Sequence, residues 1–382
     1  DDAFGRHEEA CSSLKHVLDN YQDELGFDNM SNLVVLWWNN LAALNKYDEA
    51  AELMQRVVVQ LDAMGVSQQE LQPFYIYYAY AEAMKGIPPC EVIRPQQETV
   101  VPVTIRLPAS DVVRADGKLL FIPVTLRGQE VPFIFDTGCT TTFISERMAS
   151  LLGIPIIADS VIMGGSGGYN LARIGLLDNL QVGDIIIKNL PVTIPYATAT
   201  DNIYRVDAVL GRDFMEAVGE LQIYPGKQQI VFPFRETLMS AGGHNLMISK
   251  GQPFIEGYFN DERLLFHFDT GNTGVDLSPS FMQKHYSWLE QAGTKDTISI
   301  GGIGGVKKNI PVIVLTDFPV RIDNYPVQLH NVTAFSRDFS FKHGKEDGSL
   351  GMELLRTMDK VTINLRQMFI SLTPAETPDT PD

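Results

Sequence analysis

The chain repeats its own design. Phe121-Ile122 opens an apolar run, Arg127-Gly128-Gln129 turns it, and Phe133-Ile134-Phe135-Asp136-Thr137-Gly138 closes it. A shift of 133 residues finds the pattern again in Phe254-Ile255, Asn260-Asp261-Glu262 and Phe266-His267-Phe268-Asp269-Thr270-Gly271, and the register holds ungapped through Ile144-Ser145 and Leu277-Ser278. Gly164-Gly165-Ser166-Gly167-Gly168 is answered by Gly301-Gly302-Ile303-Gly304-Gly305, and Val209-Leu210-Gly211 by Ser349-Leu350-Gly351. Each half then has a short helix-like patch and two closing strands, Leu221 to Tyr224 with Ile230 to Phe232, and Val361 to Asn364 with Phe369 to Leu372. Four landmarks in one order, twice, predict two homologous β lobes related by an approximate two-fold axis.

Around this duplicated body the texture changes. From Val100 onward the apolar period is two, with Val101 to Ile105, Leu119 to Leu126 and Val131 to Phe135 reading as strands. Before it, residues 1 to about 90 read as helix. From Tyr47 to Met64 the residues Ala50, Leu53, Val57, Val58, Leu61 and Met64 form one stripe of a 3.6-residue period. Gly65, Pro73 and Gly86-Ile87-Pro88-Pro89 punctuate the helices. The segment Leu41 to Ala50 resembles the turn of a tetratricopeptide repeat, with an ordinary helical bundle as the other reading. The expected division is a helical domain over 1–90, with a linker near Pro88 to Glu98, one β lobe over 91–240, a second over 241–373, and a disordered acidic tail over 374–382.

Composition narrows the function classes. Forty-seven acidic residues against 30 Lys and Arg give a formal charge of −17, which offers no basic field to nucleic acid or an anionic membrane. No apolar run is long enough to span a bilayer. Cys11, Cys90 and Cys139 are too few for a disulfide framework or a zinc cluster; Cys11 and Cys90 pair, or, the better reading, all three are buried thiols. The seven His residues show no metal-ligand spacing, so neither metal nor cofactor is expected. The chain begins Asp1-Asp2-Ala3 without Met; an export signal removed ahead of it would place the protein in the periplasm or outside the cell.

The chemistry lies in the two Asp-Thr-Gly triplets. Average residue usage predicts about 0.1 such triplets in a chain of this size. A pseudo-two-fold axis would bring Asp136 and Asp269 together, and carboxylates at contact cannot both ionise. They share a proton and titrate as a pair. The ionised member can take a proton from water while the protonated one donates to a peptide carbonyl oxygen. Thr137 and Thr270 have hydroxyls able to bond across the axis, and Gly138 and Gly271 allow a tight backbone whose N–H groups face the carboxylates.

From about Thr99 to Leu372 the chain resembles a retropepsin-like, pepsin-type aspartic peptidase in the fused two-lobe form found in bacteria. The resemblance implies a mainly β, bilobal aspartic-protease fold behind a small all-α domain, and an aspartic endopeptidase with Asp136 and Asp269 as catalytic residues. It implies Gly164, Gly165, Ser166, Gly167 and Gly168, and Gly301, Gly302, Ile303, Gly304 and Gly305, as flap tips. It places Leu210-Gly211 and Leu350-Gly351 behind the site. A peptide or unfolded protein is the expected substrate, and the helical domain is expected to pack beside the lobes or recruit a protein partner.

Two residues depart from the family pattern, in which Ser, Thr or Ala commonly follows the triplet: here stand Cys139 and Asn272. Asn272 is expected to alter the protonation of the pair, whereas Cys139 has no His placed near it to make it a nucleophile. Tyr169, beyond the first flap glycines, is a weak candidate for a substrate contact, and His267 is expected to fill its lobe. A catalytically silent peptide-binding protein of the same fold is the alternative reading, although a binding groove needs no paired acids. Other motifs fail on context. Gly164 to Gly168 also fits Gly-x-Ser-x-Gly, yet no long helix follows it and Ile303 replaces Ser166 in the repeat. Ser12-Ser13-Leu14-Lys15 has no supporting motif, and Gly302-Ile303-Gly304 lacks a βαβ setting.

Overall fold

The computed structural model describes residues 1–108, 117–165, 168–196, 206–239, 243–249, 251–302, 305–323, 325–336 and 346–375. The protein is mainly β, with two β lobes behind an all-helical N-terminal region. Helices α1 (His7–Asn20), α2 (Gln22–Ala43), α3 (Tyr47–Ala63) and α4 (Gln68–Met84) bury their own core, from Leu18 and Trp38 to Met54, Leu71 and Phe74. The stripe read on α3 is its buried face, with Ala50, Leu53, Val58 and Leu61 inside; Met64 caps the helix and lies exposed. Pro73 does not punctuate a helix. It sits inside α4, which starts at a Ser67–Glu70 capping box, so the boundary is set by the cap and Pro73 forgoes only one donor. Gly26 breaks α2 with φ 70°.

The helices rest on both lobes. An N-terminal turn, Asp2–Phe4, lies against the strand Leu246–Ser249, and α4 lies against Ile156–Gly165. Tyr80 of α4 is wedged between Trp38 and Tyr47 and also reaches the core of the lobes. The segment expected as a linker contains a strand, Glu91–Ile93, which pairs with Ile185–Lys188 and so joins the first sheet.

Each lobe is built on the same pairing. Leu119–Leu126 and Gln129–Phe135 form a hairpin whose turn residues Arg127 and Gly128 both have positive φ; Gln252–Phe259 and Glu262–Phe268 do the same through Asn260 and Asp261. Positive φ at both turn positions matches the right-handed twist of the strands. The second strand of each hairpin is flanked on its other edge by a parallel neighbour, Ala208–Leu210 or Gly348–Leu350. Central position explains why Phe133, Ile134 and Phe135 are all buried instead of alternating. Ser145 and Ser278 cap equivalent helices, Glu146–Leu152 and Pro279–Lys284, each hydroxyl accepting from a backbone N–H three residues on.

The stretch Val101 to Ile105, expected as one strand, is two. Thr99–Pro102 pairs with Gln229–Phe232, while Thr104–Arg106 pairs with Leu119–Phe121 in another sheet. The closing strands of the two halves do not stay in their own lobes. They meet in one shared sheet ordered Thr99–Pro102, Gln229–Phe232, Glu220–Tyr224, Met358–Asn364, Phe369–Pro374. At its centre Glu220 to Ile223 runs antiparallel to Asn364 to Val361. The last strand continues through Thr373 and Pro374, which were expected in the tail; residues 376–382 lie outside the described residues. One continuous apolar core runs through both lobes.

The shared sheet has a buried polar anchor. Glu220, 1% exposed, accepts from Asn364 Nδ2 (2.9 Å), from the Thr237 backbone N–H (2.7 Å) and from the Thr237 hydroxyl (2.6 Å). Glu220→Ala strands those donors in the interior and is expected to cost about 2–3 kcal/mol in urea unfolding. A loss within about 0.5 kcal/mol would show that the anchor contributes little.

Candidate active site

Asp136 and Asp269 each stand where a central strand gives way to a loop, one residue after Phe135 and Phe268. The strand hydrogen bonding runs one residue further, Asp136 N donating to Leu210 O (3.1 Å) and Asp269 N to Leu350 O (2.9 Å). Gly211 and Gly351 let the parallel strand pass under the loop. A Cβ at Gly211 would sit 2.6 Å from the Thr141 carbonyl carbon, and one at Gly351 would sit 2.6 Å from the Gly274 oxygen. No side chain fits at either point.

The structure brings the two loops together through their threonines. Thr137 N donates to Thr270 Oγ1 (3.0 Å), and Thr270 N donates to Thr137 Oγ1 (3.0 Å). Each hydroxyl then donates to the opposite strand, Thr137 to Phe268 O (2.8 Å) and Thr270 to Phe135 O (2.7 Å). Both threonines are buried, so four bonds in a dry junction fix the two loops relative to each other.

That junction sets the carboxyl groups face to face, within hydrogen-bonding contact of one another. Each carboxyl lies over the glycine of the opposite triplet: a Cβ at Gly138 would be 2.5 Å from Asp269 Cγ, and one at Gly271 would be 2.5 Å from Asp136 Cγ. Gly138 N (2.8 Å) and Cys139 N (3.1 Å) donate to Asp136 Oδ1, and Gly271 N (2.9 Å) donates to Asp269 Oδ1. Burial first, then the charge of Asp269 and the bond to it, hold the Asp136 carboxyl well above the usual carboxylate range; the two N–H donors pull the other way. Such a pair keeps one proton over a wide pH range and can both give and accept one.

The residues after each triplet behave differently from expectation. Asn272 does not bond the pair: its Nδ2 donates to Asp276 Oδ2 (2.9 Å) and its Oδ1 accepts from Gly274 N (3.0 Å), so it braces its own loop. Cys139 donates its thiol to Thr141 O (3.1 Å), and burial beside Asp136 and Asp213 pushes the thiol well up, away from thiolate chemistry. All three cysteines are free. Cys90 is exposed and Cys11 and Cys139 half-buried, in place of three buried thiols, because Cys90 lies in the stretch between α4 and the first strand. His267 does not merely fill its lobe: its Nδ1 lies 3.8 Å from Asp269 Oδ2. The alternation of His267 with Asp269 along one strand was the available signal. Gln252 and Thr140, which connect to His267, had none, since they sit outside the repeated motif.

Of the flap residues, Gly164 and Gly165 close one antiparallel hairpin arm and Gly168 opens the other, with Gly165 opposite Gly168; Gly302 stands opposite Gly305 in the second lobe, with Gly301 before it. The first hairpin has no strand-to-helix elbow. Ser166, Gly167, Ile303 and Gly304 lie outside the described residues, as does the Tyr169 side chain. Among the described residues, no helix is long and apolar enough to cross a membrane, and no group of three or more His, Cys, Asp or Glu side chains is placed to hold a metal ion.

Comparison with known proteins agrees with this geometry in the first lobe. Residues 122–214 match the family model described as aspartyl protease, a segment that runs from the first hairpin through Asp136 to the helix after Gly211. No curated protein matches the chain. Among solved structures, conglutin gamma, a basic 7S globulin from lupine seeds, is similar at 11% identity and a TM-score of 0.46. The basic 7S globulin from soybean is similar at 12% identity and a TM-score of 0.43, and each likeness covers 73% of this chain and 95% of the other.

Because the folded state raises Asp136 above its unfolded value, its contribution to stability is full below the unfolded carboxylate range and is lost as pH rises through the folded value. Asp136→Asn removes that loss. In urea unfolding the variant is expected to gain on the wild type steadily between about pH 4 and about pH 7. A difference that does not change with pH would contradict the raised carboxyl.

Proposed function

We propose that the protein is an aspartic endopeptidase that hydrolyses peptide bonds of an extended peptide or unfolded protein with a water molecule activated by Asp136 and Asp269. One observation carries the reading: two carboxyl groups from duplicated loops meet in contact, locked by reciprocal threonine bonds, and only one of them can be ionised. The aspartyl protease match over residues 122–214 supports a hydrolase of this kind. The raised Asp136 carboxyl supplies an acid, its ionised partner supplies a base, and no covalent intermediate is needed. Both acids come from one chain, so the site requires no second copy. The helical region resembles a tetratricopeptide unit and is read as a surface that recruits a protein partner, in a periplasmic or secreted setting.

Incubation with a denatured protein or a peptide library from about pH 3 to about pH 8, with and without pepstatin, tests the reading. Pepstatin-sensitive cleavage is expected, falling on the order of a thousandfold or more in both Asp136→Asn and Asp269→Asn. Tight peptide binding with no cleavage at any pH would instead show a silent binding module.

A further inference from the structure

Duplication should make the two acids equivalent, and one position breaks the equivalence. Two residues before the Asp, the first lobe has Ile134 and the second has His267. The imidazole of His267 is mostly buried, with Nδ1 3.8 Å from Asp269 Oδ2 and Nε2 2.7 Å from Gln252 Oε1.

A chain of hydrogen bonds decides which nitrogen titrates. The Thr140 hydroxyl donates to Gly251 O (3.3 Å), so towards Gln252 it accepts, from Nε2 (3.1 Å). The Gln252 oxygen therefore faces the imidazole, and His267 Nε2 must carry a hydrogen to meet it. Arg212 Nε donates to the same Gly251 oxygen (3.0 Å) and anchors the far end. With Nε2–H committed, a second proton can enter only at Nδ1, the atom turned towards Asp269. The chain also crosses the junction, since Thr140 belongs to the first lobe's loop and Gln252 and His267 to the second lobe.

The charged surroundings favour that second proton. Asp269 faces His267 from its own strand, with Asp136 behind it across the junction. On the neighbouring strands His267 is in register with Ser349, and Ser349 with Asp276, which puts a third carboxylate on the same face of the sheet. On the other edge stands the uncharged ring of Phe254, 5.7 Å away. The first lobe's loop contributes Cys139 and Thr140, both uncharged. The nearby cation is Arg212, beyond Gln252 and Thr140 and paired with Glu216.

We propose that His267 is a positioning residue whose imidazolium holds Asp269 ionised, so that the shared proton resides on Asp136 and the two acids have fixed roles. This rests on the peptidase reading. Asp269 takes a proton from water as the water oxygen bonds to the carbonyl carbon, and Asp136 gives its proton to the carbonyl oxygen. As the carbon–nitrogen bond breaks, Asp269 passes its proton to the leaving nitrogen and Asp136 regains one from a hydroxyl of the diol. The pair ends with the single proton where it began. Burial and the two loop N–H donors act on Asp136 alone or nearly equally in both halves, whereas the imidazole acts on one half only.

Two measurements test this. The His267 imidazole is titrated by NMR, identified as the signal missing from His267→Gln. Its pKa is expected above the ordinary imidazole value and lower by about one pH unit in Asp269→Asn. An unchanged titration in Asp269→Asn overturns the pairing. The acidic limb of the kcat/KM profile is then compared in wild type, His267→Gln, which keeps a partner for Gln252, and His267→Ile, which copies the first lobe. Both variants are expected to move that limb up by about one pH unit, because the first ionisation of the pair loses its cationic neighbour. Profiles superimposable on wild type overturn the positioning role even where the imidazole is paired. Absence of cleavage by the wild type would sink the peptidase reading by itself, and the imidazole titration would still decide the pairing.

Discussion

Four hydrogen bonds between Thr137 and Thr270 hold this structure to its purpose. Each hydroxyl accepts from the opposite loop and donates to the opposite strand, so neither has capacity left over and neither can be lost without leaving a buried donor unpaired. The lobes cannot shift against each other while these bonds stand. Because they stand, Gly138 and Gly271 can lie under the carboxyl groups of the opposite lobe at a distance no Cβ would permit. The contact between Asp136 and Asp269, and with it the raised carboxyl of Asp136, follows from that approach. The shared sheet does the same work at longer range: Glu220 to Ile223 of one half pairs with Asn364 to Val361 of the other, and Glu220 is satisfied by donors from both.

Symmetry builds the site, and departures from symmetry make it usable. Two equal acids would leave the proton undecided. Here Asp136 accepts two backbone N–H bonds from its own loop and Asp269 one, while His267 stands beside Asp269 where Ile134 stands beside Asp136. Cys139 and Asn272, the residues most foreign to the family pattern, turn out to brace their own loops and leave the acids alone. The helices add a mechanical link, with α4 resting on the strand that leads to Gly164 and Gly165 and the N-terminal turn resting on the second lobe.

The duplicated Asp-Thr-Gly loops were legible from sequence because the repeat puts two acids at equivalent places, and a two-fold axis leaves them few arrangements other than contact. The hairpins were legible for a local reason, the turn residues Arg127-Gly128 and Asn260-Asp261 between period-two runs. The partners of the closing strands were not: Leu221 and Ile363 carry no mark that they pair across lobes, since a strand's own periodicity does not say which edge it will meet. Nor does it show that Val101 to Ile105 divides between two sheets at Val103. Pro73 misled because a proline reads as a stop unless the cap before it is weighed, and the Ser67–Glu70 box starts α4 well ahead of it. Gln252 and Thr140 were invisible because their role exists only after the lobes close, through Thr140 of the first lobe and Gln252 and His267 of the second.

The central claim is that Asp136 and Asp269 share one proton at the lobe junction. Carboxyl-carbon NMR across a pH titration measures this directly, with Asp136→Asn and Asp269→Asn used to assign the two signals. The account predicts two well-separated steps felt by both carbons, the later one far above the ordinary carboxylate range. Two independent transitions near the ordinary value of about 4 would contradict it.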